Sequence, residues 1–244
     1  MDPATLASDV VLQSSDWSFV WENRQYLAGG LWWTLCLTLT SITLGFLLGF
    51  PAGAVEAYGD GALASVVRSL GVVLRGTPIV VILIFAYFVL PVNDLLPIHR
   101  GTPLSDAFVA ATVGLGLRSA AYQAQLFRGA VQSVSGGQME AARAVGLSKV
   151  QAIRHVVVPQ ALRRSIPGFQ NEFTIVLKDT SVAIAIGLAE LLTRSRDLFV
   201  QQTTAITEIV LAISLVYFAI TFGTNRALDY VGSVYAIPGE GGGS

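Results

Sequence analysis

Long uncharged stretches of apolar residues recur along this chain of 244 residues. Residues 25–55 contain no formal charge and lie between Arg24 and Glu56. A helix that crosses a bilayer needs about 20 mainly apolar residues. Trp32 and Trp33 lie near the start of this stretch, and tryptophan favours the headgroup level of a membrane. We therefore predict that residues 25–55 form a first transmembrane helix.

Four further spans are predicted, at 76–93, 107–127, 169–192 and 207–228. Arg118 interrupts the third of these stretches. The fourth is a poor span because it contains four charged residues, Glu172, Lys178, Asp179 and Glu190. Charged side chains within a span face protein or water. The pattern predicts an all-α membrane protein of about five transmembrane helices.

Glycines repeat every four residues in the first predicted span, at Gly45, Gly49 and Gly53. Residues at this spacing lie on one stripe of a helix. Such a stripe lets a neighbouring helix approach closely, as in other small-residue membrane interfaces. The alternative is that glycine is simply frequent in membrane helices.

The composition supports the membrane interpretation and excludes other classes. Hydrophobic residues make up 53% of the chain and charged residues only 13%, whereas a soluble domain carries about 25% charged residues. The net charge of −1 argues against a nucleic-acid partner. The single cysteine, Cys36, cannot form a disulfide within the chain or a Cys-rich metal site. We expect it to pack as a small apolar side chain.

The distribution of Lys and Arg predicts the orientation of the chain. Five spans place the two termini on opposite sides. With the N-terminus outside, the inner side holds Arg68, Arg75, Arg128, Arg143, Lys149, Arg154, Arg163, Arg164, Lys178 and Arg226, and the outer side holds Arg24, Arg100, Arg194 and Arg196. This bias predicts a cytoplasmic C-terminus.

The predicted organisation has three parts. Residues 1–28 form an external segment without the basic start of a cleaved signal peptide. Residues 29–228 form the transmembrane domain, with a cytoplasmic loop at about 129–165. Residues 229–244 form a tail whose glycine-rich end is typical of a flexible linker.

The cytoplasmic loop is predicted to contain two short helices. The segment from Glu140 to Val145 favours helix, and Gly146 suits the position just after a helix, where a positive φ is required. Ser148 followed by Gln151 is a capping-box pattern that opens a second helix. Pro159 can end or bend that second helix.

This loop resembles the EAA loop of binding-protein-dependent ABC importer permeases. The matching pattern is Glu140-Ala141-Ala142, three residues, Gly146, nine residues, and then Val156-x-Val158-Pro159. Valine at both aliphatic places departs mildly from that family's usual Ile-x-Leu-Pro. Further runs are similar to the polar amino-acid branch of the family, at 75–78, 121–122, 127–130, 159–163 and 177–181. The resemblance extends over about 29–228.

The resemblance implies a type I ABC importer permease bundle with a cytoplasmic coupling helix. The residues that it implies for coupling to an ATPase are Glu140, Ala141, Ala142, Arg143 and Gly146. The chain contains no phosphate-binding G-x-x-x-x-G-K-[ST] motif, so no cofactor is expected here and ATP is expected on partner subunits. The other implied partners are an extracytoplasmic solute-binding protein, a second permease chain, itself or similar, and an amino-acid substrate.

These coupling roles have plainer alternatives. Glu140 would also suit the start of any helix as an acid, and Gly146 serves a turn in either case. Arg143 and Lys149 would also be ordinary positive-inside charges.

Arg118 is the first candidate for substrate contact, because an arginine within a span is costly unless it is paired or faces water. It could hold the carboxylate of an amino acid by a bidentate contact. Alternatively it forms a structural pair with an acid on another helix, such as Glu172 or Glu190, or extends to the outer surface. Tyr122 and Gln125 share its helix face and are candidates for the ammonium group.

Gln125, the pair Lys178 and Asp179, and Arg75 also carry expectations about the site. The resembling family often has an acid at the place of Gln125, so any role of that acid with substrate or with Arg128 is in doubt here. Lys178 and Asp179 are expected to pair at the inner membrane edge. Arg75 is expected to shape the start of the second span.

Three other functions remain open at this point: a transporter of another solute with the same architecture, a membrane enzyme such as an intramembrane protease, and a channel or scaffold. The two histidines, His99 and His155, lie in predicted loops, so neither supplies a base beside a serine within a span. A channel or scaffold would not need to co-purify with an ATPase subunit.

Overall fold

Helices account for nearly all of the described part of the chain. The computed structural model describes residues 16–90, 106–134 and 136–234, and in these ranges it contains no β-strand. The ten α-helices of these ranges are α1 (Trp17–Glu22), α2 (Arg24–Tyr58), α3 (Ala62–Gly76), α4 (Ile79–Phe88), α5 (Asp106–Ser133), α6 (Gly136–Ala144), α7 (Lys149–Ala152), α8 (Val158–Asp179), α9 (Leu191–Gln201) and α10 (Ile206–Val234). The predicted loop around His99 and the glycine-rich end lie outside these ranges.

The number of membrane spans can be compared with the length and hydropathy of these helices. Helix α2 and the stretch Thr203–Ser233 are each long and apolar enough to cross a membrane, and α3 with α4 passes the same test as one bent pair. Helices α5 and α8 have 28 and 22 residues, which is sufficient length, but they are less apolar. The count of five spans therefore stays a prediction.

The second predicted span, 76–93, differs from the structure. Helix α4 covers only ten residues of it, and the preceding α3 was not predicted. The two helices meet at an angle of 107°. The cause is local, because Pro78 disfavours helical geometry at the residue before it and Thr77 is extended, with φ −90° and ψ 131°.

The fourth predicted span, 169–192, is not one helix. Helix α8 ends at Asp179 and continues as a 3₁₀ turn over Thr180–Ile186. Gly187 then takes a positive φ of 76°, which glycine adopts without strain, and α9 begins only at Leu191. Pro159 does not end the loop's second helix either, because it lies in the first turn of α8, where proline is tolerated.

The close helix approach predicted for the glycine stripe is confirmed. A Cβ atom added to Gly49 would lie 2.7 Å from the carbonyl oxygen of Ala120, and one added to Gly53 would lie 2.7 Å from that of Ala124. Only hydrogen in place of a side chain permits these contacts. The stripe thus brings α2 directly onto α5, which occupies the centre of the bundle.

The largest buried apolar cluster within the described ranges joins α2, α4, α5 and the 3₁₀ turn. Leu37, Leu83, Leu115 and Ala183 are all almost completely buried in it. Cys36 packs against this cluster as a partly buried side chain, as expected. The cluster fixes the position of the Thr180–Ile186 turn relative to α5, which matters for the charged residues described next.

Candidate functional site

The loop that contains Glu140 and Gly146 has the predicted helix, turn and helix. Helix α6 ends in a Schellman arrangement, in which the Leu147 amide donates to the Ala142 carbonyl (3.1 Å) and the Gly146 amide donates to the Arg143 carbonyl (3.0 Å). Gly146 has a φ of 91°. The capping box is also present, with reciprocal hydrogen bonds between Ser148 and Gln151 of 2.8 and 3.3 Å. The loop geometry predicted from the sequence is therefore confirmed.

The coupling residues implied by the resemblance do not all face the same way. Glu140, Ala141, Arg143 and Gly146 are exposed, whereas Ala142 is buried. Neither Glu140 nor Arg143 forms an ion pair within the described ranges. The surface of the loop therefore carries four of the five residues, and Ala142 packs inward.

Two apolar residues on the loop were missed by the sequence analysis. Val145 is 80% exposed and Val150 is 73% exposed. Apolar side chains that are this exposed outside a membrane indicate a contact surface when they are grouped. Their place at the turn between two predicted helices was the signal that could have identified them.

The loop is tied to both α5 and α8. Ala130 and Val134 pack with Val157 and Ala161 in a buried cluster, and Met139 of α6 lies against it. Polar contacts add to this packing, since the Arg164 guanidinium donates to the carbonyl oxygen of Ser133. A displacement of α6 would therefore act on α5 and α8 together.

Arg118 forms an ion pair with Asp179, at the end of α8. The pair with an acid on another helix, one of the alternatives considered from the sequence, is therefore present, but the acid is Asp179 and not Glu172 or Glu190. The guanidinium carbon also lies 5.2 Å from the centre of the Tyr122 ring, within the range of a cation–π contact. Arg118 is therefore held by two contacts within this chain.

The expected pair between Lys178 and Asp179 is not present. Asp179 is used by Arg118 instead, and Lys178 is exposed without an ion pair in the described ranges. Neighbouring residues on a helix point in different directions, which separates the two side chains.

A cavity of about 470 Å³ lies between α5 and α8. Tyr122 and Gln125 line it from α5, and Asn171 and Glu172 line it from α8. Two of the three predicted substrate residues therefore share one cavity, while Arg118 borders it only through its contact with the Tyr122 ring. Asn171 was missed by the sequence analysis, and Glu172 was considered only as a partner for Arg118.

Arg128 has a different partner from the one considered in the sequence analysis. Its guanidinium lies 3.6 Å from a carboxylate oxygen of Glu56 on α2. Glu56 is buried, with 7% of its surface exposed. Arg128 thus pairs across the α2–α5 contact and does not depend on an acid at position 125.

Glu190 is completely buried and holds the start of α9. Its carboxylate accepts hydrogen bonds from the backbone amides of Leu192 (3.0 Å) and Thr193 (2.7 Å). The hydroxyl groups of Thr34 on α2 and Tyr217 on α10 lie 3.4 and 3.3 Å from the same carboxylate. Glu190 is therefore a helix cap that joins three helices.

Arg75 fixes the end of α3. Its guanidinium donates a hydrogen bond of 2.7 Å to the carbonyl oxygen of Ala121 on α5. This contact agrees with the expected role of Arg75 at the start of the second predicted span.

Relatives of this chain are named as amino-acid permeases. The glutamine transport system permease protein of Escherichia coli strain K12 is 38% identical over 208 residues, which cover 84% of this chain and 91% of that protein. The probable amino-acid permease protein YxeN of Bacillus subtilis strain 168 is 31% identical over 210 residues, covering 86% and 91%. The glutamate/aspartate import permease protein GltK of Escherichia coli O6:H1 is 27% identical over 217 residues, covering 88% and 96%.

Solved structures share the fold. A chain of an amino acid ABC transporter described as "with histidines" matches with a TM-score of 0.76 and 30% identity, covering 91% of this chain and 99% of that one. A chain of the MetNI methionine ABC transporter matches with a TM-score of 0.69 and 21% identity, covering 86% and 98%, and shows the fold alone. The predicted all-α permease bundle is therefore confirmed.

A family match settles the class of the protein. Residues 41–233 match the family described as "Binding-protein-dependent transport system inner membrane component". That stretch includes the second to fifth predicted spans, the loop from Glu140 to Pro159 and the α5–α8 cavity. The family match agrees with a membrane transport component that works with a binding protein and ATP-binding subunits. It offers no support for a protease or a scaffold. The chain belongs to the family of inner membrane components of binding-protein-dependent transport systems.

Proposed function

We propose that this chain is the permease subunit of an ATP-driven importer of polar amino acids. The observation that carries the proposal is the connection between an exposed loop and a cavity that holds the polar side chains of Gln125, Asn171 and Glu172. The loop exposes Glu140, Arg143 and Val145, and it packs on the same two helices that enclose the cavity. The names of the relatives support amino acids as the transported class.

We propose that the exposed side of the loop is where the ATPase binds. Glu140, Ala141, Arg143 and Gly146 form the contact, and Val145 adds exposed apolar surface at its centre. Ala142 acts differently, since its burial anchors α6 to the rest of the chain. Movement of the ATPase subunits would then be transmitted through α6 to α5 and α8, as a rigid-body shift of packed helices.

We propose that the α5–α8 cavity lies on the substrate path. Tyr122 and Gln125 contact the amino acid there, and the buried carboxyl group of Glu172 lies on the opposite wall. Arg118 would hold a substrate carboxylate only after it releases Asp179, its present partner. The pathway is completed by a second permease chain, with the N-terminus of each chain outside and the C-terminus in the cytoplasm.

The test is uptake by the reconstituted complex of permease, ATPase and binding protein in liposomes. We expect uptake of at least one polar amino acid that requires ATP, together with stimulation of ATP hydrolysis by that amino acid. Acidic, basic and amide amino acids are compared at equal concentration. Uptake that continues without ATP would overturn the importer assignment, and a strict preference for a solute other than an amino acid would overturn the substrate class.

A further inference from the structure

A second cavity, of about 490 Å³, lies at the N-terminal end of α2. The loop that contains Glu140 packs near the other end of this helix, at Tyr58. It is enclosed by α1, α2, α9 and α10. Its inner walls are apolar, with Leu27 and Leu31 from α2 and Ala212 and Val216 from α10. The volume is within the range of about 300–1,000 Å³ that is typical of ligand cavities. The substrate path proposed above does not include this cavity.

Among the described residues, Arg24 is the only charged one that lines this cavity. One of its N–H groups donates to the carbonyl oxygen of Trp21 (2.8 Å), and its guanidinium carbon lies 4.7 Å from the centre of the Trp21 ring. It forms no ion pair with a described acid, including Glu22 two residues before it. A guanidinium has five N–H donors, so donors remain for an anion from outside the chain.

The position of Arg24 places this charge at the membrane boundary. It is the first residue of α2, a 35-residue apolar helix. Leu27 and Leu31 lie one and two turns further along, so the cavity extends from the boundary toward the hydrocarbon. Trp17 and Trp21 of α1 are 46% and 69% exposed, and exposed tryptophans are typical of the headgroup level.

We propose that this cavity binds an anionic phospholipid. The phosphate of the headgroup accepts hydrogen bonds from the Arg24 guanidinium, and one acyl chain lies along Leu27 and Leu31 between α2 and α10. The short helix α1, which the sequence analysis assigned to an external segment, then lies in the interface and covers the lipid. A cation at the mouth of an apolar cavity matches a ligand with an anionic head and an apolar chain. The charge of Arg24 favours such a lipid over the neutral lipids around the protein.

The test is quenching of tryptophan fluorescence by lipids with brominated acyl chains. The full chain is placed in nanodiscs with Trp32 and Trp33 changed to Phe, so that Trp17 and Trp21 on the cavity wall give the signal. Brominated phosphatidylglycerol and brominated phosphatidylcholine are titrated separately. We expect an apparent affinity about fivefold higher for phosphatidylglycerol, the effect of one arginine on an anionic lipid near a membrane surface.

Two variants make the test specific to this cavity. Arg24→Gln removes the preference for phosphatidylglycerol, whereas Arg24→Lys retains it in part. Ala212→Phe fills the cavity but keeps Arg24, and it lowers quenching by both lipids. Equal affinity of the two lipids for the unaltered cavity, or a preference that survives Arg24→Gln, would overturn the proposal. Absence of quenching by either lipid would show that the cavity is filled by protein and would overturn it as well.

Discussion

Arg118 on α5 and Asp179 at the end of α8 form an ion pair that is largely shielded from solvent, with 19% and 22% of the two side chains exposed. The pair joins the central helix of the bundle to the point where α8 changes into a 3₁₀ turn. It lies one helical turn from Tyr122, and therefore beside the cavity that we assign to the substrate path.

Breaking this ion pair should destabilise the protein in a non-additive way. Arg118→Gln and Asp179→Asn each leave the other charge without a partner, whereas the double variant leaves no charge. We expect the double variant to be less destabilised than the sum of the two single variants, by about 0.5–3 kcal/mol, the range for residues in contact. Thermal unfolding of the four proteins in the same nanodiscs measures this difference. Additive changes would show that the two side chains do not interact.

The turn at Gly146 should be essential for coupling. Gly146→Leu places a side chain at a φ of 91°, which costs roughly 1–2 kcal/mol for an L-residue, and it disturbs the exposed surface around Val145. We expect a chain that still folds but transports several-fold less amino acid per ATP hydrolysed. Glu140→Ala should act in the same direction.

Gly136→Ala is the matched control for this loop. Gly136 is the first residue of α6, on the same loop as Gly146, but it has no positive φ, and no atom lies within 4 Å of an added Cβ. We expect it to transport normally. Normal uptake by both Gly146→Leu and Glu140→Ala in the reconstituted complex would remove the coupling assignment.

The α2–α5 contact should not accept a larger residue at Gly49. Gly49→Ala introduces a Cβ atom 2.7 Å from the Ala120 carbonyl oxygen, and overpacking of this kind costs about 1–3 kcal/mol. Gly223→Ala, on α10, meets no atom within 4 Å and should leave the melting temperature unchanged. The two variants are compared by thermal unfolding, and equal melting temperatures would mean that the helices can separate at no cost.

Gln125 should influence which amino acids pass through the cavity. Gln125→Glu adds a negative charge to a cavity that already contains Glu172. We expect uptake of basic amino acids to rise relative to acidic ones, because an added carboxylate favours cations and disfavours anions nearby. Competition between labelled and unlabelled amino acids in liposomes measures the ratio.

Gln132→Glu supplies the comparison for the Gln125 variant. Gln132 is exposed on the same helix, two turns further along, so the net charge changes equally. An identical shift in selectivity for both variants would show that the effect arises from overall charge and would separate Gln125 from the substrate path.

Local patterns in the sequence were sufficient to predict several structural features of this protein. The apolar stretch after Arg24, the stripe of Gly45, Gly49 and Gly53, and the turn at Gly146 depend on residues that are close in sequence. Hydrophobicity, helix periodicity and capping act over a few turns at most. These features therefore followed from composition and spacing, and the resemblance of the loop to the EAA pattern indicated the family.

Contacts between distant residues required the folded chain. From the sequence, Glu172 and Glu190 were named as examples of an ion-pair partner for Arg118. In the folded chain the guanidinium of Arg118 contacts Asp179 at the end of α8, and Glu190 caps the start of α9. Glu56 reaches Arg128 only because the glycine stripe brings α2 against α5. The break after Asp179 also depends on packing, since the 3₁₀ turn is held in the apolar cluster around Leu37 and Leu83. Charge pairing across helices is set by their relative positions, which a single sequence does not encode in any local pattern.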